Sequence, residues 1–508
     1  MKFNFKLMGL VMLVMLICCV SAASATDVDN ITVPDDTDVI EIDDAVDSVD
    51  EVESDVANKD VVNQGNLRGA NINGNPVSNY FDSTTGVLLS NVGNTLTFGG
   101  DFYNANYNYD NFIINRAVTI NANASDKPTL HDMGFELVNA DGITLDGITF
   151  DMTAPDNADC YVINVLNVDN TNITDNVINY TCNHANAAKY NHVIRVVGGE
   201  NVSVSGNNIT AYLPLKNVDF TQTYPSIYTD KVAGVAVQSS NYFRFTNNRL
   251  LVNVSKLTTG YPTLDAFIIA GSKNAYISGN TIIEIDNKTT DSNNYLYAVD
   301  VYQCDDITID NNTIRFERQG GSIIPGTNNG TSAAYGIQLT GGHTGVTISN
   351  NNIHTSNDGP NCGIYSQNFL GDTSLTITNN TIYVEGNAGL HSWSLVTGME
   401  LGDNYAYVEG NNITVVNKAP YESGANAYGI SYSQWCPGTH TYEIYDNTVE
   451  VINGYYSIYL SSSTSDSEVS YNCLNTTYSC CDNSVYADSN IVHDNYCPNC
   501  NGGSNCHC

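Results

Sequence analysis

The stretch AVDVYQCDDITID, residues 298–310, places Asp300 on an alternating apolar run and Asp305 and Asp306 at the turn that follows it. Glycoside hydrolysis needs two carboxylates about 5–9.5 Å apart across the sugar bond. These three residues are therefore the catalytic candidates. A second chemical cluster closes the sequence as CPNCNGGSNCHC. Cys497 and Cys500, followed by Cys506 and Cys508, offer four thiols for one tetrahedral zinc, with His507 beside them. The competing expectation is a disulfide network that also draws on Cys473, Cys480 and Cys481. The other histidines are scattered without metal-binding spacing, and no organic cofactor is expected. Zinc or calcium are the metals these residues could take. The 33 tyrosines, against 14 phenylalanines, suggest a further chemistry. Tyr on an exposed β-face stacks on sugar rings and bonds to their hydroxyls, although Tyr also simply suits strands.

These groups need a scaffold, and the chain repeats one. ITIDNNTIRF (307–316) returns as LTITNNTIYV (375–384), with relatives at 202–212, 243–252, 275–285, 346–355, 406–416 and 442–452. The Asn two residues before the next apolar side chain marks the unit: Asn176, Asn207, Asn248, Asn280, Asn312, Asn351, Asn380, Asn411 and Asn447, with weaker members at Asn472 and Asn495. The markers recur about every 32 residues, which is the range of solenoid repeats. A second element precedes each marker, as in YAVDVY (297–302), YGIQL (335–339) and YGISY (428–432). The runs are short, alternate with period 2 and favour β-branched residues, so they predict strands and no helices. Three strands per unit, stacked on themselves, give an all-β fold: a parallel β-helix of about 11–12 coils. Asn tolerates the left-handed backbone of a tight corner. Coils about 4.8 Å apart let one amide bond to the next, so the asparagines are expected to form a structural ladder.

The flanks differ in composition. Lys2 and Lys6 precede an apolar run, Leu7 to Val20, and then ASA at 23–25, so residues 1–25 are expected to be a secretory signal. Residues 26–62 hold fourteen acidic side chains and one Lys without Gly or aromatic residues, and are expected to be an extended acidic leader. Residues 63–472 would form the β-helix with its N-terminal cap, and 473–508 a Cys-rich C-terminal cap. The formal charge of −36 repels phosphate backbones, so no nucleic-acid partner is expected. No membrane span is expected after signal cleavage, and the protein is expected to be secreted or held at the cell surface.

ITIDNNTI, VTISNNNI and LTITNNTI, their YGIxL partners and the acidic leader resemble right-handed parallel β-helix proteins. More narrowly, they are similar to the adhesin-like exported proteins of methanogenic archaea. The likeness covers roughly residues 140–470. It implies a right-handed coil, also the hand that parallel crossovers favour, and a non-catalytic adhesion or structural role with an extracellular glycan or cell-surface component as partner. β-Helices also include polysaccharide lyases and glycoside hydrolases, which is the alternative reading. The sequence departs from those enzymes: galacturonan hydrolases should show Gly-His-Gly and Arg-Ile-Lys, which GGHTG (341–345) and RFER (315–318) do not match, and an epimerase-type Asp-Pro-His is missing.

Overall fold

The computed structural model describes residues 70–497, apart from 156–158, 183–190, 218–231, 257–261, 287–294, 319–332, 369–372, 389–394, 420–425, 434–435, 437, 462 and 489. The regions expected to be signal and leader lie outside the described residues. Three long sheets of 16, 13 and 14 strands build the fold, and almost every neighbouring pair is parallel. The chain visits them in rotation. Tyr295–Tyr302 of the third sheet leads to Thr308–Asp310 of the first and Thr313–Arg318 of the second, then back to Ala333–Thr340 of the third. This is a parallel β-helix.

Registration follows the side-chain period. Ile277 lies on Ile309, Ile309 on Ile348, and Ile348 on Ile377, all fully buried. Each inward aliphatic therefore stacks on its own kind one rung away, where β-branched side chains pack well.

The coils outnumber the 11–12 expected. Strands from Thr95–Gly99 through Gly134–Val138 already belong to the three sheets but carry no Asn marker. Their interior is filled instead by Phe81, Phe98, Phe102, Phe112 and Phe135, with Phe81 and Phe112 centred 4.6 Å apart. Before them, Asn71–Ile72 runs antiparallel to Thr95–Gly99 and occupies that strand's outer edge, which would otherwise be open to pairing. At the other end, Cys473–Thr476, Val485–Ala487 and Ile491–His493 add a further strand to each sheet. The coil thus continues past the expected boundary at 472/473.

The corner between the first and second sheets explains the paired asparagines, and corrects their expected role. The left-handed residue is the one before each marker: Asp175, Gly206, Asn247, Gly279, Asn311, Asn350, Asn379, Gly410, Asp446, Tyr471 and Asp494 all have φ between 52° and 68°. The marker itself turns inward. Two jobs are divided between two adjacent residues, which is why Asn, Asp, Gly and, at Tyr471, even Tyr is accepted at the first position while the marker itself is always Asn.

A second feature is the small residue of the YGI strands. Gly336, Gly363, Gly398 and Gly429 lie on successive rungs of the third sheet. A Cβ on Gly398 would sit 2.6 Å from the Gly429 carbonyl oxygen and 2.4 Å from Ile413 Cγ2. No side chain fits there.

Candidate functional site

The asparagine column runs unbroken from Asn176 to Asn495. Asn280 Nδ2 donates to Asn312 Oδ1 at 2.9 Å, and Asn312 Nδ2 donates to Asn351 Oδ1 at 2.9 Å. The same Oδ1 also accepts the backbone N–H of the preceding marker, and Nδ2 donates a second bond to a main-chain carbonyl, as Asn312 does to Ile277 at 2.9 Å. Every polar atom of an interior amide is satisfied, so the column is scaffold.

The catalytic candidates separate around a turn. Asp300 lies on the outer side of the third sheet, fully buried, and receives Gln338 Nε2 at 3.4 Å. Asp305 is one of the turn residues. Lys273 Nζ stands 2.8 Å from it and Thr344 Oγ1 donates to it at 2.8 Å. Burial opposes its ionisation, but Lys273 and Thr344 outweigh that and hold the carboxyl below its ordinary range. Asp306 is exposed and takes the left-handed turn conformation, φ 55°. Asp305 and Asp306 are therefore built into the turn.

Asp300 belongs to an outward column that no single stretch of sequence reveals. From Asp300 it passes through Gln338, Tyr365, Glu400, Ser431 and Tyr459 to Tyr486. Burial pushes the Glu400 carboxyl up to about 7, against a weaker opposing bond from Ser433. Asp300 and Glu400 are three rungs apart, about 14 Å at the usual strand spacing. That exceeds the separation of a glycosidase pair.

Towards the C-terminal coils this face becomes aromatic. Tyr428, Tyr459 and Tyr486 stack in sequence, with ring centroids 4.8 and 5.0 Å apart and planes within 20° of parallel. Tyr456 abuts Tyr459 and Tyr486, and Tyr455 stacks on Tyr478 at 5.9 Å. Tyr455, Tyr478 and Tyr486 are each more than 40 % exposed. An array of rings open to water, with hydroxyls at the rim, can stack on apolar sugar faces and bond to hydroxyls. The abundance of Tyr signalled such chemistry; its location became visible only when register placed residues 27 positions apart on adjacent rungs.

One buried constellation has the residue types of a hydrolase. His343 Nε2 is 2.7 Å from Asp403 Oδ1, Ser366 Oγ donates to Asp403 Oδ2, and His440 Nδ1 lies 2.6 Å from the Asp403 carbonyl oxygen. The carboxylate stands between Ser and His, so no imidazole is placed to take the serine proton. All four residues are buried, at 2 % exposure or less. They form a polar knot inside the corner between the third and first sheets.

Of the four thiols expected to hold zinc, Cys497 is buried in the last described coil, and Cys500, Cys506 and Cys508 lie outside the described residues. The structure gives Cys497 different companions, Cys480 and Cys481. Among the described residues no helix is long and apolar enough to cross a membrane.

No protein-family model matches the chain, and no curated protein matches it. Among solved structures, the chain is similar to the A-module of the Azotobacter vinelandii mannuronan C-5 epimerase AlgE6, at 13% identity over 78% of this chain and 90% of that one, with a TM-score of 0.34. It is also similar to the alginate lyase AlyF-OU02, solved in complex with G6, at 13% identity over 82% of this chain and 84% of that one, with a TM-score of 0.27. The narrower likeness to archaeal adhesin-like proteins rests on the sequence repeats alone.

Proposed function

We propose that this protein is a secreted or cell-surface β-helical adhesion or structural protein that contacts a glycan and performs no catalysis. The observation that carries this reading is the exposed tyrosine array around Tyr455, Tyr478 and Tyr486. Stacking of this kind holds a sugar without changing it. The net charge of −36 favours neutral glycans over polyuronates, whose carboxylates it would repel. A glycan array probed with the full chain and with a Tyr455→Ala/Tyr478→Ala variant tests the reading. Binding to neutral glycans should fall at least tenfold in the variant. Equal binding by both proteins, or no binding by either, would reject it.

A second reading, a polysaccharide lyase or glycoside hydrolase, draws on Glu400. A carboxyl titrating at about 7 can deliver a proton at neutral pH. The 14 Å offset of Asp300 argues against a paired mechanism. Incubation of the full chain with pectin, alginate or host-type glycans should release no shorter products; release that Glu400→Gln abolishes would establish the enzyme instead.

A further inference from the structure

We propose that Cys480, Cys481 and Cys497 form a redox-gated thiolate site for zinc or another soft divalent metal, at the end of the asparagine column. The three sulfurs lie within 4.8 Å of one another, a spacing that allows all three to reach one ion. This set shares only Cys497 with the four thiols suggested by the spacing of the tail, and it comes from two separate coil segments.

The fold holds these segments in place. Cys481 opens the short turn Cys481–Ser484 with φ 56°, a left-handed conformation uncommon for a residue bearing a side chain. In extended backbone, adjacent residues point to opposite sides. The left-handed residue breaks that alternation and lets neighbouring Cys480 and Cys481 serve one centre. Ser484 Oγ donates to the Cys481 carbonyl at 2.8 Å, and Cys480 bridges to Asn475. Across the gap, Asn495 Nδ2 donates to Asp482 Oδ1 at 2.7 Å and fixes the segment carrying Cys497 against the turn carrying Cys481. Cys481 and Cys497 are buried and Cys480 is part-exposed.

Cys481 is disulfide-bonded in this structure. A disulfide sulfur is no thiolate donor, so the oxidised chain lacks the third ligand. A dithiol reductant transfers two electrons and two protons to that bond, yielding two thiols on the protein and a disulfide in the reductant. Zn²⁺ then binds the Cys480, Cys481 and Cys497 sulfurs with release of three protons, leaving a fourth tetrahedral position. Thiolate donors select zinc over calcium or magnesium.

The test is Co²⁺ titration of the full chain, before and after reduction with a phosphine that is then removed anaerobically, followed by the thiolate-to-cobalt charge-transfer band. The reduced protein should develop the band and the oxidised protein should not. Cys480→Ser should weaken cobalt binding by at least the roughly 10- to 100-fold that loss of an outer partner costs. Cys497→Ser should do the same, and Cys362→Ser, at a distant coil, should have no effect. Far-UV circular dichroism of each metal-free variant shows whether it is folded, and zinc should displace cobalt. An equal band in the oxidised protein, or full binding by folded Cys480→Ser, would overturn the proposal; the latter would assign the metal to the tail cysteines.

Discussion

Replacing one interior marker, Asn312→Ala, removes the acceptor used by two buried donors, Asn280 Nδ2 at 2.9 Å and Asn280 N–H at 3.0 Å. An orphaned buried donor costs about 1–3 kcal/mol, so the pair should cost about 2–6 kcal/mol. Its neighbour Asn311, with φ 53°, does the other job. Asn311→Ala should cost only the left-handed penalty of about 1–2 kcal/mol, and Asn311→Gly close to nothing. Global unfolding is a poor assay, because stacked repeats need not unfold as one unit. Native-state hydrogen exchange resolves individual coils. The Asn280 amide should exchange at least roughly 30-fold faster in Asn312→Ala, while amides several coils away are little changed. If Asn311→Ala proves as costly as Asn312→Ala, or if Asn280 protection survives the loss of its acceptor, the division of labour at the corner is wrong.

Glu284 makes a second case: it is fully buried between Val252 and Phe316, and neither carboxyl oxygen has a hydrogen-bond partner among the described residues. Burial first, then Asp265 and Asp286, hold its carboxyl well above the ordinary 4.5. Glu284→Met should therefore stabilise by about 1–3 kcal/mol at neutral pH, read as a raised melting temperature. The sign with pH follows: between 4.5 and the elevated folded value, the unfolded chain loses a proton that the folded chain keeps, so stability falls as pH rises. That decline should flatten in the variant. Gly398→Ala should destabilise by about 1–3 kcal/mol through overpacking against Ile413 and the Gly429 carbonyl, measured by the same melts. Asp482→Asn, which weakens the partner of Asn495, should cost about 1 kcal/mol and be felt only in the last coils by hydrogen exchange.

The repeat made the strands, their rotation among three sheets and the amide column legible, because each marker sits at a fixed distance from apolar alternation. Which residue of the pair bends the chain was not legible, since Asn suits both tasks and only Gly206, Gly279 and Gly410 at the first position hint at the answer. The early coils were under-counted because phenylalanines, not asparagines, fill them. Glu284 was invisible for a related reason: TIIEID alternates as a strand should, and nothing in it says that the acidic residue faces inward. The tyrosine array and the Cys480–Cys481–Cys497 group both join residues from different coils, so spacing along the chain could not assemble them.

The amide column also has a direction. One Nδ2–H of each amide points to the marker of the following coil while its Oδ1 accepts from the one before, from Asn176 towards Asn495, so the small dipoles of eleven side chains add head to tail. Such alignment gathers partial positive charge at the leading end, as the backbone does at a helix start. There the last donor meets the Asp482 carboxylate. The anion terminates the polarised line, and the two ends of the coil stack are electrically unlike, so a cap suited to one would be mismatched at the other.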